Sequence, residues 1–131
     1  MGKQQILVVD DREALLAAIQ DILEIEGYTI LTATDGMKAL EVMEETRPDL
    51  IVADILMPQM DGYAFYEAVR ARQDWASIPF IFLTAKAERE DVSKGMDLGV
   101  EEYITKPFEP QELLLAVRAR LTPPENHESD V

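Results

Sequence analysis

The chain has 131 residues, a formal net charge of −14 and no cysteine. That length suits one domain with a single core. The missing thiols exclude disulfides and thiolate metal sites, and the acidity disfavours direct contact with a nucleic-acid backbone. Only four apolar residues separate the polar start from Asp10-Asp11. That is too short for a signal peptide or a membrane span, so a cytoplasmic protein with no membrane partner is expected.

In chain order, Ile6-Leu7-Val8-Val9 reads as a buried strand that ends on Asp10-Asp11. Residues 12–26 repeat apolar side chains at helical spacing, with Leu15, Ile19, Ile22 and Leu23 on one face. Gly27 is placed to end that helix, because glycine accepts the left-handed conformation of a helix C-terminus. Residues 28–33 read as a second strand, and Asp35 can cap a helix over 35–46 with Leu40 and Met43 inward. Pro48 stops it. Leu50-Ile51-Val52-Ala53 is then an apolar run of the kind buried on both faces of a parallel sheet, and it closes on Asp54. Pro58 and Asp61-Gly62 punctuate a loop before a helix over 62–73 that buries Phe65 and Val69. A loop over 75–79 leads to a fourth strand, Phe80-Ile81-Phe82-Leu83, ending at Thr84-Ala85.

A fourth helix is predicted over 88–98, held by few apolar residues (Val92, Met96, Leu98), with Gly99 at its end. Gly95 inside it costs roughly 0.5–1 kcal/mol relative to alanine, so its local stability is expected to be low. Tyr103-Ile104-Thr105 is a short fifth strand that leads into Lys106-Pro107-Phe108. Pro110 suits the first turn of a last helix, with Leu113, Leu114, Val117 and Leu121 as its face. Residues 1–121 are read as one domain. Residues 122–131, polar and containing His127, read as a flexible tail or the start of a linker.

Fivefold β-α alternation predicts an α/β fold: a single doubly wound (βα)5 domain, its parallel sheet covered by helices on both faces. The strand ends then matter most, because ligands bind at the carboxyl edge of such sheets. Strand one delivers Asp10 and Asp11, strand three Asp54, strand four Thr84 and strand five Lys106. A strand order of 2-1-3-4-5 brings all of them to one cleft. Any one of these residues is as readily a helix cap or a solvated group. Five compatible groups at four strand ends are hard to explain that way.

Two carboxylates 4 Å apart repel by roughly 4 kcal/mol at an effective dielectric of 20. Three need more compensation than one lysine supplies. A divalent cation with all-oxygen ligands provides it, Mg²⁺ foremost and Mn²⁺ as a substitute. Thr84 and Lys106 suit the oxygens of a phosphoryl group, and an aspartate can serve as the nucleophile that accepts one. The residues therefore point to Asp54 as a phosphoryl acceptor.

In sequence these markers stand as Val8-Val9-Asp10-Asp11, Asp54-Ile55-Leu56-Met57-Pro58, Asp61-Gly62, Leu83-Thr84-Ala85 and Tyr103-Ile104-Thr105-Lys106-Pro107-Phe108. Together, and in this order, they resemble the receiver domain of two-component response regulators, across residues 5–121. The resemblance implies a flavodoxin-like sheet and a phosphorylation-dependent switch, not an enzyme that turns over a separate substrate. It implies a histidine kinase or histidine phosphotransfer protein as donor and Asp54 as acceptor. It makes Asp11 a direct metal ligand, lets Asp10 act largely through water, and adds the backbone carbonyl of Leu56. Lys106 pairs with Asp54 before transfer and with the phosphoryl group after it. Thr84 swings in to that group and Tyr103 turns inward. The face of the fourth helix, fifth strand and last helix is thereby remodelled for a downstream partner or output domain.

The resemblance also implies a cis Lys106-Pro107 bond. Leu56 and Lys86 stand at positions that influence how fast water removes the phosphoryl group. Two other classes of function compete. One is a receiver-like binding scaffold that is never phosphorylated, against which the intact Asp54, Thr84 and Lys106 count. The other is a free-standing phosphatase or a flavin or nucleotide binder. Leu56 stands where such phosphatases usually carry a second aspartate, and no glycine-rich phosphate loop follows the first strand.

Overall fold

A computed structural model describes residues 3–85 and 102–121. The predicted helix over 88–98, with Gly95 and Gly99, lies outside the described residues, as do Lys86 and the predicted tail over 122–131. The elements are β1 (Gln5–Val9), α1 (Glu13–Ile25), β2 (Thr29–Ala33), α2 (Gly36–Glu45), β3 (Leu50–Asp54), α3 (Gly62–Ala71), β4 (Phe80–Ala85), β5 (Glu102–Lys106) and a last helix (Pro110–Leu121). All strand pairs are parallel, and the sheet runs β2-β1-β3-β4-β5, the order expected from the strand-end residues.

The apolar runs of β1, β3 and β4 have no polar face because both of their faces are covered. Side chains alternate across a strand, and each strand feeds two cores. Leu7, Val9, Ile51, Ala53, Phe80 and Phe82 point to the side of α2 and α3, where they meet Met43, Phe65 and Val69. Ile6, Val8, Leu50, Val52, Ile81 and Leu83 point to the other side, where they meet Leu16, Ile19 and Leu23 of α1 and Leu113 and Val117 of the last helix.

Local chemistry sets the element ends. The Asp35 carboxylate accepts a hydrogen bond from the Lys38 N–H at 2.8 Å, and Asp61 accepts one from Ala64 at 2.8 Å; both act as helix N-caps. Gly27 sits at φ +102°. Its N–H donates to Glu24 O at 3.0 Å and that of Tyr28 to Leu23 O at 3.3 Å, a Schellman closure of α1.

The helix faces differ by one residue from the sequence reading. In α1 the buried side chains are Leu16, Ile19 and Leu23, while Leu15 and Ile22 are half-buried at the border. Ala39 is buried in α2 where Leu40 was expected, and Leu40 packs against the edge of the core. The loop between α3 and β4 also contributes to the core, through Trp75 and Ile78.

Candidate functional site

Parallel register lines the strand ends up. Val9 stands beside Ala53, Asp54 beside Leu83, and Ala85 beside Lys106. Asp10 and Asp11 follow β1, so their side chains meet that of Asp54 at one rim. One carboxylate oxygen from each of Asp10, Asp11 and Asp54 lies within 4.8 Å of the others. Asp10 and Asp54 are buried, whereas Asp11 is exposed. Asp54 Oδ1 accepts the Ile55 N–H at 3.0 Å, which fixes the orientation of the carboxylate at the strand end.

Lys106 is the positive partner. Its side chain is only 10 % exposed, and Nζ stands 2.9 Å from Asp10 Oδ2 and 3.2 Å from Asp54 Oδ1. The pairing with Asp54 is the one expected from the sequence; the shorter contact, to Asp10, is not. The other oxygen of Asp10, Oδ1, accepts the Arg12 N–H at 2.9 Å and lies 3.8 Å from Arg12 Nε. The Lys106–Pro107 peptide is cis, as expected.

The remaining predicted residues frame this cluster. Thr84 is fully buried in β4. Leu56, two residues beyond Asp54, leaves its side chain 55 % exposed. Tyr103 is half-buried, with its ring 5.7 Å from that of Phe82. Its hydroxyl is inside. Burial, reinforced by the Tyr63 phenol, raises the Tyr103 pKa well above its usual value.

Sequence reasoning missed what Gly62 does. Its N–H donates to Ile55 O at 2.7 Å. A Cβ there would stand 2.5 Å from Asp54 O and 2.8 Å from Ile55 Cα. The start of α3 therefore rests directly on the backbone that carries Asp54. The glycine itself was the available signal, but what it touches could not be read from the chain.

The donor set consists of carboxylates alone, without nitrogen or sulfur, and suits a hard divalent cation such as Mg²⁺. The family described as the response regulator receiver domain matches residues 6–118. The chain belongs to that family.

This receiver domain is 42 % identical over 118 residues to the alkaline phosphatase synthesis transcriptional regulatory protein PhoP of Bacillus subtilis, covering 90 % of this chain and 48 % of the relative. It spans about half the length of the curated relatives it matches. Among solved structures, the Vibrio cholerae chemotaxis response regulator CheY4 superposes with a TM-score of 0.85 at 32 % identity, over 91 % of this chain and 99 % of that one. The receiver domain of the sensor histidine kinase PA1611 from Pseudomonas aeruginosa gives a TM-score of 0.84 at 30 % identity, over 93 % of this chain and all of that one, and holds a magnesium ion coordinated in its active-site cleft. The chain is thus a receiver domain of a two-component system, a signalling module and not a metabolic enzyme. No described helix is long and apolar enough to cross a membrane.

Proposed function

We propose that this receiver domain accepts a phosphoryl group on Asp54 from a phosphohistidine of a histidine kinase or phosphotransfer protein. The observation that carries this is the crowding of Asp10, Asp11 and Asp54, of which Asp10 and Asp54 pair with Lys106. Three clustered carboxylates have one buried ammonium and one loosely held, exposed guanidinium between them, a charge imbalance that costs stability unless a further cation and a reacting group use it.

Asp10, Asp11 and Asp54 would hold Mg²⁺, with the Leu56 carbonyl added by family resemblance. The ion supplies positive charge to the carboxylates and the phosphoryl oxygens. Asp54 attacks phosphorus through a carboxylate oxygen; the new O–P bond forms as the P–N bond to the donor histidine breaks. Lys106 is already 3.2 Å from Asp54 and passes to the phosphoryl group as the charge on the aspartate is used up. The Thr84 hydroxyl moves to donate to a phosphoryl oxygen, and Tyr103 answers that movement from β5. Leu56 places an apolar side chain at the rim and offers nothing to orient an attacking water, which slows hydrolysis of the acyl phosphate. The altered surface around β5 and the last helix binds a downstream protein or output domain. This domain does not itself bind nucleic acid, because its charge repels phosphates. It works in the cytoplasm.

Incubation with acetyl phosphate and Mg²⁺ should add one phosphoryl group by intact mass. Asp54→Asn should keep the circular dichroism of the fold and label at least 100-fold more slowly. Full labelling of the Asn variant at the wild-type rate would remove Asp54 from this role.

A further inference from the structure

Arg12 stands at the entrance of the site without being part of its buried pairing. Its backbone is fixed, because Arg12 is the N-cap residue of α1 and its N–H donates to Asp10 Oδ1 at 2.9 Å. Its guanidinium is not fixed: the side chain is 61 % exposed, and Nε lies 3.8 Å from that same oxygen. Asp10 thus sits between two cations of unequal grip, with Lys106 buried on Oδ2 at 2.9 Å and Arg12 loose on Oδ1. Arg12 and Lys106 also line one groove of about 750 Å³, walled by Leu15, Ile19, Pro107 and Phe108. What brings the guanidinium near the reacting group is Asp10, one of whose oxygens lies within 4.8 Å of an Asp54 oxygen.

We infer that Arg12 captures the phosphodonor by exchanging counterions. With the site empty, its guanidinium partly neutralises Asp10. A divalent cation bound to Asp10 and Asp11 repels the guanidinium from the carboxylates. The guanidinium then leaves Asp10 and pairs with the oxygens of the incoming phosphoryl group, for which its planar fork is suited. Arg12 therefore opposes the metal and assists the donor. These opposite signs separate it from a residue that merely shapes the site. The inference rests on the phosphoacceptor reading of Asp54 given above.

The test uses the full chain as wild type, Arg12→Gln and Arg12→Lys. Mg²⁺ binding is measured by calorimetry, and the acetyl phosphate dependence of labelling is measured by intact mass at saturating Mg²⁺. An exposed pair of this kind is worth a few-fold in an equilibrium constant. Arg12→Gln should therefore bind Mg²⁺ about threefold more tightly and need about threefold more acetyl phosphate for half-maximal labelling. The loss should fall mainly on that half-saturating concentration and less on the limiting rate. Arg12→Lys should lie between the other two. A donor dependence equal to wild type, or weaker Mg²⁺ binding in Arg12→Gln, overturns the inference and leaves labelling of Asp54 intact. A wild-type chain that takes no label overturns the phosphoacceptor reading, and the capture role with it, whatever the calorimetry gives.

Discussion

Two clusters of charge sit at opposite ends of the sheet, and they differ in balance and in burial. At the carboxyl edge three acids stand together: Lys106 pairs with Asp10 and Asp54, Asp11 is exposed beside them, and Arg12 reaches Asp10 only loosely at 3.8 Å. At the other end, beyond α2 and α3, Arg72 pairs with Glu44 at 2.5 Å and Asp74 at 3.1 Å, while Arg47 Nε donates to the Asp74 carbonyl at 2.9 Å. Arg72 also lies 3.8 Å above the Trp75 ring. There two acids meet two bases, all exposed. A balanced, exposed set closes a loop and is screened by solvent. An unbalanced, buried set is held together by the rest of the fold at a cost, and it keeps that cost available for a ligand. The contrast teaches that charge density alone does not mark a site; uncompensated charge under burial does.

Four substitutions sharpen this contrast, in descending order of expected effect. The largest is Asp54→Asn, described above. Next, Asp11→Ala should weaken Mg²⁺ binding by at least tenfold, measured by calorimetry. Mg²⁺ affinity unchanged in this variant would take Asp11 out of the metal site. Third, Gly62→Ala forces a methyl against Asp54 O and Ile55 Cα. Such overpacking costs about 1–3 kcal/mol, and it should lower both the urea midpoint and the labelling rate, because the strained backbone carries the acceptor. A variant with wild-type stability and labelling would show that α3 can shift away freely.

The smallest effect belongs to the far cluster. Arg72→Ala should lower the melting temperature slightly, leave acetyl phosphate labelling unchanged, and lose most of its effect in high salt. The hydrogen bond from Arg72 holds the Asp74 carboxyl below its ordinary pKa of 3.8. A depressed acid contributes stability above the unfolded pKa and loses it as pH falls through the folded one. The difference between wild type and Arg72→Ala should therefore be full near neutral pH and shrink below 3.8. A difference that persists undiminished in acid would locate the effect in the stacking on Trp75 instead.

Much of the candidate site was legible because its residues stand at the ends of recognisable strands. Asp54 follows an unbroken apolar run, and Lys106 precedes a proline; either position can be found without knowing what lies opposite. Contacts between strands were less legible. Lys106 reaches Asp10, 96 positions away in sequence, and nothing local distinguishes that partner from Asp54. Arg12 and Tyr63 were passed over for the same reason. Each looks like an ordinary helix residue until β5 is placed beside the site or Phe82 is found 5.3 Å from the Tyr63 ring.

By itself the sequence determined the succession of the described strands and helices, the cap at Asp35, the stop at Gly27 and the set of polar groups at the strand ends. These depend on periodicity and on the φ preferences of single residues, which act within a few positions of the chain. Tertiary structure alone decided that Leu16, not Leu15, faces the core, that Asp10 lies between Lys106 and Arg12, and that Gly62 must lack a side chain. A helical repeat leaves its buried face uncertain by about one residue, and the packing of β1 and β3 against α1 removes that uncertainty. The close contacts at Asp10 and Gly62 join segments far apart in sequence, so they exist only once parallel register has fixed which strand ends are neighbours.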